Sequence, residues 1–91
     1  MNKSLDAVLQ EKNKDPGFRE EYMSPENQAY LIELLVEARL QQHLTQNELA
    51  QKAEIKQSNI SRIEHKKTRP TLKTLQKLAH ALGKEVRIEI V

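Results

Sequence analysis

The chain has 91 residues, a formal net charge of +2, 31% charged residues and 3% aromatic residues, a balance that favours a helical binding protein over an enzyme with a pocket. This length suits one small domain, and the absence of cysteine excludes disulfides and thiolate metal sites. No apolar run reaches the roughly 20 residues of a membrane span, and the N-terminus has no apolar signal core. We therefore expect a cytoplasmic protein without a membrane segment.

Charge divides the chain into two parts. Residues 1–40 carry five basic and eight acidic side chains, whereas residues 41–91 carry ten basic and five acidic ones, so their net charges are −3 and +5. We expect a polyanion to dock on the basic part, because it attracts phosphate, and the acidic part to face away from it.

The N-terminal segment predicts a short helix over residues 3–14, because its apolar residues recur at helical spacing after Ser4, a possible cap. About three turns of isolated helix are marginal in water, so this segment needs a packing surface. Its bulky apolar side chains, with those that follow the Asp15-Pro16-Gly17 break, are Leu5, Val8, Leu9, Phe18, Tyr22 and Met23. The last three either pack on the chain's own long helix or anchor a protein partner.

Ser24-Pro25 predicts the start of that long helix, with a capping hydroxyl and a proline in the first turn, and the helix should continue to about Gln42. Its apolar arc is broad enough to pack against two neighbours. One neighbour is the core formed by the following helices. The other is the N-terminal segment, a second subunit or another protein.

Two short helices with a tight turn between them are predicted next. Thr45 and Glu48 form a capping-box pattern that begins the first helix, and the second begins near Gln57. In the second helix Ile60 and Ile63 are apolar, and the outward positions are Gln57, Ser58, Asn59, Ser61 and Arg62. Amide, hydroxyl and guanidinium groups suit base edges, which favours a DNA-reading helix-turn-helix over an ordinary helical hairpin with a polar rim.

Residues 65–70 form a cationic loop suited to holding phosphates. Thr71 should cap a further helix that Gly83 ends. Residues 85–91 then alternate charged and β-branched side chains, which predicts a strand rather than a frayed tail. Because we find no partner strand elsewhere in the sequence, we expect this strand to pair with a second copy or with another protein.

Residues 44–83 resemble the Xre/Cro type of helix-turn-helix domain. The matching residues are Thr45-Gln46, Glu48-Leu49-Ala50, Ile60-Ser61-Arg62-Ile63-Glu64, Pro70, Leu78-Ala79 and Leu82-Gly83. The family usually has glycine at the positions of Glu54 and Lys66, where a left-handed residue costs more for a side chain with a Cβ atom. The resemblance implies a mostly α, five-helix-type domain. We place this domain at residues 24–84, between the N-terminal helical arm (1–23) and the C-terminal strand (85–91) predicted above.

Double-stranded operator DNA is the expected partner of this domain. We predict that Ser58, Asn59 and Arg62 read bases and that Gln46 and Gln57 contact phosphates or adjacent bases at the helix N-termini. The full predicted DNA-binding set is Gln46, Lys56, Gln57, Ser58, Asn59, Ser61, Arg62, Lys66, Lys67 and Arg69, in which the lysines and Arg69 hold phosphates. No catalytic, metal or cofactor site is predicted, because the three histidines are scattered and no phosphate-cradling glycine loop is present.

The order of parts resembles HigA-type antitoxins of type II toxin–antitoxin modules, whose partners are RelE/HigB-like mRNA endonucleases. This resemblance implies that the acidic arm binds a basic toxin through the six apolar residues named above, which favours an antitoxin over a stand-alone dimeric repressor. We expect a homodimer, alone or in a heterotetramer with the toxin. The predicted dimerisation residues in the terminal strand are Val86, Ile88 and Ile90.

Overall fold

The structure is a computed structural model that describes residues 7–11 and 22–90. In chain order, its elements are β1 (Ala7–Glu11), α1 (Pro25–Gln41), α2 (Gln46–Ala53), α3 (Gln57–Glu64), α4 (Leu72–Ala81) and β2 (Val86–Ile90). The described part of the chain is therefore mostly α. It contains four helices rather than five, together with a two-stranded sheet.

Helix α1 begins where its capping residues predict. The backbone N–H of Asn27 donates to Ser24 Oγ at 3.2 Å, and Pro25 occupies the first turn, where its missing N–H costs nothing. The buried side chains Leu31, Ile32 and Leu35 face the core. Because α1 contacts α3, α4 and β1, the second neighbour of its broad apolar arc is the N-terminal segment of the same chain.

Helices α2 and α3 form the predicted pair. Thr45 Oγ1 accepts from the Glu48 N–H at 3.0 Å, and Glu48 Oε1 accepts from the Thr45 N–H at 2.8 Å, which confirms the capping box. Leu49 of α2 and Ile60 and Ile63 of α3 are buried in the shared core. This packing fixes which face of α3 is left for solvent.

The turns use left-handed residues where the family usually has glycine. Glu54, which ends α2, has φ 58° and ψ 46°, and Lys66, after α3, has φ 59°. His43, between α1 and α2, also has φ 59°, and no sequence signal marked it. Each such residue with a Cβ atom carries a backbone cost of about 1–2 kcal/mol. The helix-turn-helix geometry is therefore kept without glycine, at a cost in stability.

Helix α4 closes the core over α2. Thr71 Oγ1 accepts from the Thr74 N–H at 3.2 Å, as the predicted cap requires, and Leu75 and Leu78 are buried. Gly83 follows the helix with φ 73°, a conformation that glycine adopts readily. The predicted start and end of this helix are both confirmed.

The terminal strand is confirmed as β2, but the expectation that it has no partner in the chain is wrong. It pairs in parallel with β1, with Leu9 opposite Ile88. The predicted helix over residues 3–14 is accordingly wrong at Ala7–Glu11, and the rest of that range lies outside the described residues. Val8 is 47% exposed whereas Leu9 is 4% exposed, the alternation of a strand. The backbone N–H and C=O groups of β2 need hydrogen-bond partners, and residues 7–11 supply them as a strand. This long-range pairing outweighed the weak helical spacing of their apolar side chains.

A buried carboxylate fastens β1 to the start of α1. Glu11 is 6% exposed, and its Oε2 accepts from the Ser24 N–H at 2.9 Å and from Asn27 Nδ2 at 2.7 Å. Asn27 Nδ2 also donates to the Gln10 carbonyl at 2.8 Å. A carboxylate at a helix N-terminus is favourable, because the first N–H groups and the helix dipole attract negative charge. The strand pair is thus joined to the helical core by polar contacts as well as by Leu9.

Candidate nucleic-acid interface

The solvent-facing side of α3 carries the side chains predicted to read bases. Ile60 and Ile63 are 0% and 1% exposed and hold the opposite side of the helix in the core. Ser58, Asn59 and Arg62 are exposed. A rigid helix that presents an amide, a hydroxyl and a guanidinium on one face can enter a major groove and hydrogen-bond to base edges there.

A chain of hydrogen bonds fixes α3 against α2. Gln57 Nε2 donates to Gln46 Oε1 at 2.9 Å, and Gln46 Nε2 donates to Glu64 Oε1 at 2.9 Å. The structure therefore brings together both glutamines that were predicted to contact DNA, each at the N-terminus of its helix. Since each amide has more than one hydrogen-bonding site, these bonds orient the side chains and leave capacity for a ligand.

An ion pair that sequence reasoning missed holds the far end of α3. Arg39 of α1 donates to Glu64 through Nε at 2.7 Å and through Nη2 at 2.9 Å, and the two side chains are 10% and 12% exposed. Arg39 Nη1 also donates to the Leu44 carbonyl at 2.7 Å. A signal existed in the sequence, because Arg39 lies four residues after Leu35 on the buried face of α1. A charged residue there needs a partner.

The predicted phosphate-holding residues divide into two groups. Lys56 and Lys67 are exposed, beside α3 in the chain. Lys66 Nζ pairs with Glu33 of α1 at 2.9 Å, but both side chains are well exposed, so this pair is weak and can exchange for a phosphate. The phosphate contacts themselves stay predictions.

Arg69 is placed differently from the lysines. Its Nη2 donates to the Met23 carbonyl at 2.8 Å, and its guanidinium lies 5.1 Å from the centre of the Tyr22 ring. A cation at this distance from an aromatic face is attracted to it. In the structure Arg69 thus joins the loop after α3 to the residues that precede α1, and its role as a phosphate contact stays a prediction.

The six predicted toxin contacts do not form one exposed surface. Met23 and Leu9 are 2% and 4% exposed and belong to the chain's own core, where they are covered by other residues of the chain, and their role as toxin contacts stays a prediction. Both side chains are buried because they belong to the hydrophobic core that the helices share with the strand pair. Val8 and Tyr22 are exposed, at 47% and 39%. Leu5 and Phe18 lie outside the described residues.

The three predicted dimerisation residues lie in β2 at alternate positions. Val86 is buried in the core, and Ile88 is half-buried and packs against it. Ile90 ends the strand, opposite Glu11. Self-pairing would therefore have to use the backbone edge of β2, because two of these side chains already face the core.

The described residues offer neither a cluster of metal ligands nor a membrane-spanning helix. Among the His and Glu side chains of residues 7–11 and 22–90, no group of three or more is arranged to hold a metal ion. In the same ranges no helix combines the length and apolar character needed to cross a bilayer.

Comparison with known proteins identifies the family. A helix-turn-helix family model of the Xre type matches residues 35–88, from the second half of α1 into β2. Searches of curated proteins and of solved structures gave no match. Members of the matched family are DNA-binding regulators rather than enzymes. Since the match covers more than half of the chain and contains both helices of the motif, this chain belongs to the Xre-type helix-turn-helix family.

Proposed function

We propose that the chain is a cytoplasmic transcriptional repressor that reads operator DNA with α3. The observation that carries the proposal is the exposure of Ser58, Asn59 and Arg62 on a helix whose opposite side is anchored by Ile60 and Ile63. Base readout needs side chains held at fixed positions. The Arg39–Glu64 ion pair and the hydrogen bonds of Gln46 and Gln57 fix α3 at both ends.

The surrounding groups supply the sequence-independent part of binding. Lys56 and Lys67 lie before and after α3, where they can neutralise phosphates on either side of the groove. Gln46 and Gln57 begin α2 and α3, so their backbone N–H groups are oriented as helix N-termini that favour phosphate. Ser61 is half-buried beside Arg62 and completes the proposed set.

Alanine variants test this division of roles on a duplex selected from a random-sequence pool. Asn59→Ala and Arg62→Ala should each weaken binding to the selected duplex by about 1–3 kcal/mol and relax discrimination against mixed-sequence DNA. Lys67→Ala should weaken both duplexes alike and reduce the slope of log K against log salt by about 0.9. Lys77→Ala, at an exposed position of α4, is the control for the loss of one positive charge. Equal losses on both duplexes for all three interface variants would contradict the assignment.

We propose that the repressor is a homodimer formed through β2. One edge of β2 is occupied by β1, and in a two-stranded sheet the other edge retains backbone groups that can pair with a second copy. Antiparallel pairing of two β2 strands would create a two-fold axis, which suits operators with two half-sites.

A second candidate function is that of antitoxin to a RelE/HigB-like mRNA endonuclease. The observation that favours it is the exposure of Val8 and Tyr22, two large apolar side chains that belong to the acidic part of the chain. Exposed apolar anchors suit a protein partner, and the net charge of −3 of residues 1–40 favours a basic, RNA-binding one. In this proposal the toxin binds the N-terminal arm. A dimer of this chain with one toxin on each arm would be a heterotetramer.

Co-expression tests the antitoxin proposal. The neighbouring gene should encode a small basic protein that is toxic alone and is rescued by this chain. Val8→Asp combined with Tyr22→Ala should abolish rescue without unfolding the chain, because both side chains are exposed, and circular dichroism checks the fold. Leu40→Asp, at a 58% exposed apolar position of α1, is the matched control and should keep rescue. Deletion of the whole arm would not test toxin binding, because it also removes core residues such as Leu9 and would destabilise the fold. Rescue that survives the double variant would rule out the arm as the toxin contact.

A further inference from the structure

His65 lies on the same face of α3 as the residues proposed to read bases. It is the residue that ends the helix, and it is exposed. Arg62 and Ser58 precede it by three and seven residues, which places all three side chains in one row along the helix. Its imidazole lines an open pocket together with Ser61, Arg62 and Lys67.

One hydrogen bond fixes how the imidazole is presented. Nδ1 of His65 lies 2.8 Å from the Ser61 carbonyl oxygen. A carbonyl oxygen can only accept, so Nδ1 carries a hydrogen and donates it. Nε2 is then the nitrogen that the ring offers to a ligand. In the neutral ring Nε2 is only an acceptor and cannot bond to a phosphate oxygen, whereas in the imidazolium it is a donor.

The charged groups around the ring favour an anion. Arg62 and Lys67 line the same pocket as the imidazole. The acidic sequence neighbour of His65, Glu64, is neutralised by Arg39, and Lys66 lies toward α1, where it pairs weakly with Glu33. The pocket therefore brings together two permanent cations and one group that can become a cation.

We propose that His65 binds a DNA phosphate as an imidazolium, through Nε2–H, so that DNA binding takes up one proton. The proposal rests on the DNA-binding function proposed above. Because the phosphate favours the charged ring, the bound state holds the proton more strongly than the free state. The contact is therefore present at low pH, where the ring is charged, and is lost at high pH, where the ring is neutral.

The experiment measures the dissociation constant of the full chain for its selected duplex between about pH 5 and pH 8, the range in which imidazole titrates. The wild-type affinity should fall roughly tenfold across this range, as expected for one charge-assisted hydrogen bond. His65→Ala should bind with little dependence on pH. His65→Lys carries a permanent charge, so it should bind as tightly at high pH as the wild type does at low pH. His80→Ala, an exposed histidine of α4, is the matched control and should keep the wild-type pH dependence.

The salt dependence gives a second readout. The slope of log K against log salt should be steeper by about 0.9 at low pH in the wild type and unchanged by pH in His65→Ala. Unaltered pH dependence in His65→Ala would overturn the proposal. So would an equal loss of affinity at both ends of the pH range, which would indicate a contact from the neutral ring to a base. Failure of the wild type to bind any duplex would instead contradict the DNA-binding function itself.

Discussion

Replacement of Arg39 by methionine removes the guanidinium that joins α1 to the end of α3. The variant loses two bonds to Glu64, at 2.7 and 2.9 Å, and one to the Leu44 carbonyl, at 2.7 Å. Methionine is unbranched and flexible enough to fill the space of the arginine stem, so the change isolates the polar contacts from packing. What remains is a carboxylate that is 12% exposed and keeps one bond, from Gln46.

The loss of one partner from a buried ion pair costs about 3–5 kcal/mol, mostly because the other charge is left without compensation. Since Glu64 keeps a bond and some exposure, we expect the lower end of this range, about 3 kcal/mol. For a domain of this size that corresponds to a fall in Tm of about 12–24 °C. The measurement is urea unfolding followed by circular dichroism, with a thermal scan as a second readout.

Two further variants make the result interpretable. Glu33→Gln breaks the exposed pair with Lys66 and should change the free energy of unfolding by no more than about 0.5 kcal/mol. The double variant Arg39→Met/Glu64→Gln should be less destabilised than the sum of its single variants, because it leaves no unpaired charge. An effect of Arg39→Met as small as that of Glu33→Gln would refute the reasoning, since burial would then have no energetic consequence.

Three other features lead to predictions of the same kind. Glu54→Gly should raise the free energy of unfolding by about 0.5–1 kcal/mol, measured by urea unfolding, because glycine adopts the φ of 58° without strain. Glu54→Ala keeps a Cβ atom and should give no such gain. Equal gains in both variants would show that removal of the negative charge is the cause. Glu11→Ala should cost about 1–3 kcal/mol and speed amide hydrogen exchange in β1, because the helix N-terminus loses its buried acceptor. Glu11→Gln, which keeps a side-chain oxygen that can accept from the Ser24 N–H, should cost less. If two copies pair through β2, Arg87→Cys should form disulfide-linked dimers, because the chain has no other cysteine. Gln10→Cys, on β1, should not form them. Equal cross-linking of the two variants would contradict the β2 interface.

The sequence by itself determined the helices, because their boundaries depend on neighbouring residues. Ser24, Thr45 and Thr71 each satisfy a backbone N–H three residues ahead, and that contact is encoded within one turn. The apolar spacing of Ile60 and Ile63 likewise fixes which face of α3 is buried and which is exposed. The family assignment and the exposed face of α3 therefore needed no tertiary information.

Only the tertiary structure decided what the flanking segments do. Whether residues 7–11 form a helix or a strand depended on the unpaired backbone of β2, which lies more than 70 residues away in sequence. The contacts that hold the candidate interface in place also join residues far apart in sequence. Arg39 bonds to Glu64, 25 residues away, and Arg69 bonds to the Met23 carbonyl, 46 residues away. Such pairings arise from the folded arrangement of whole elements. The residues that touch DNA can thus be proposed from local pattern, whereas the contacts that hold them rigid could be found only in the fold.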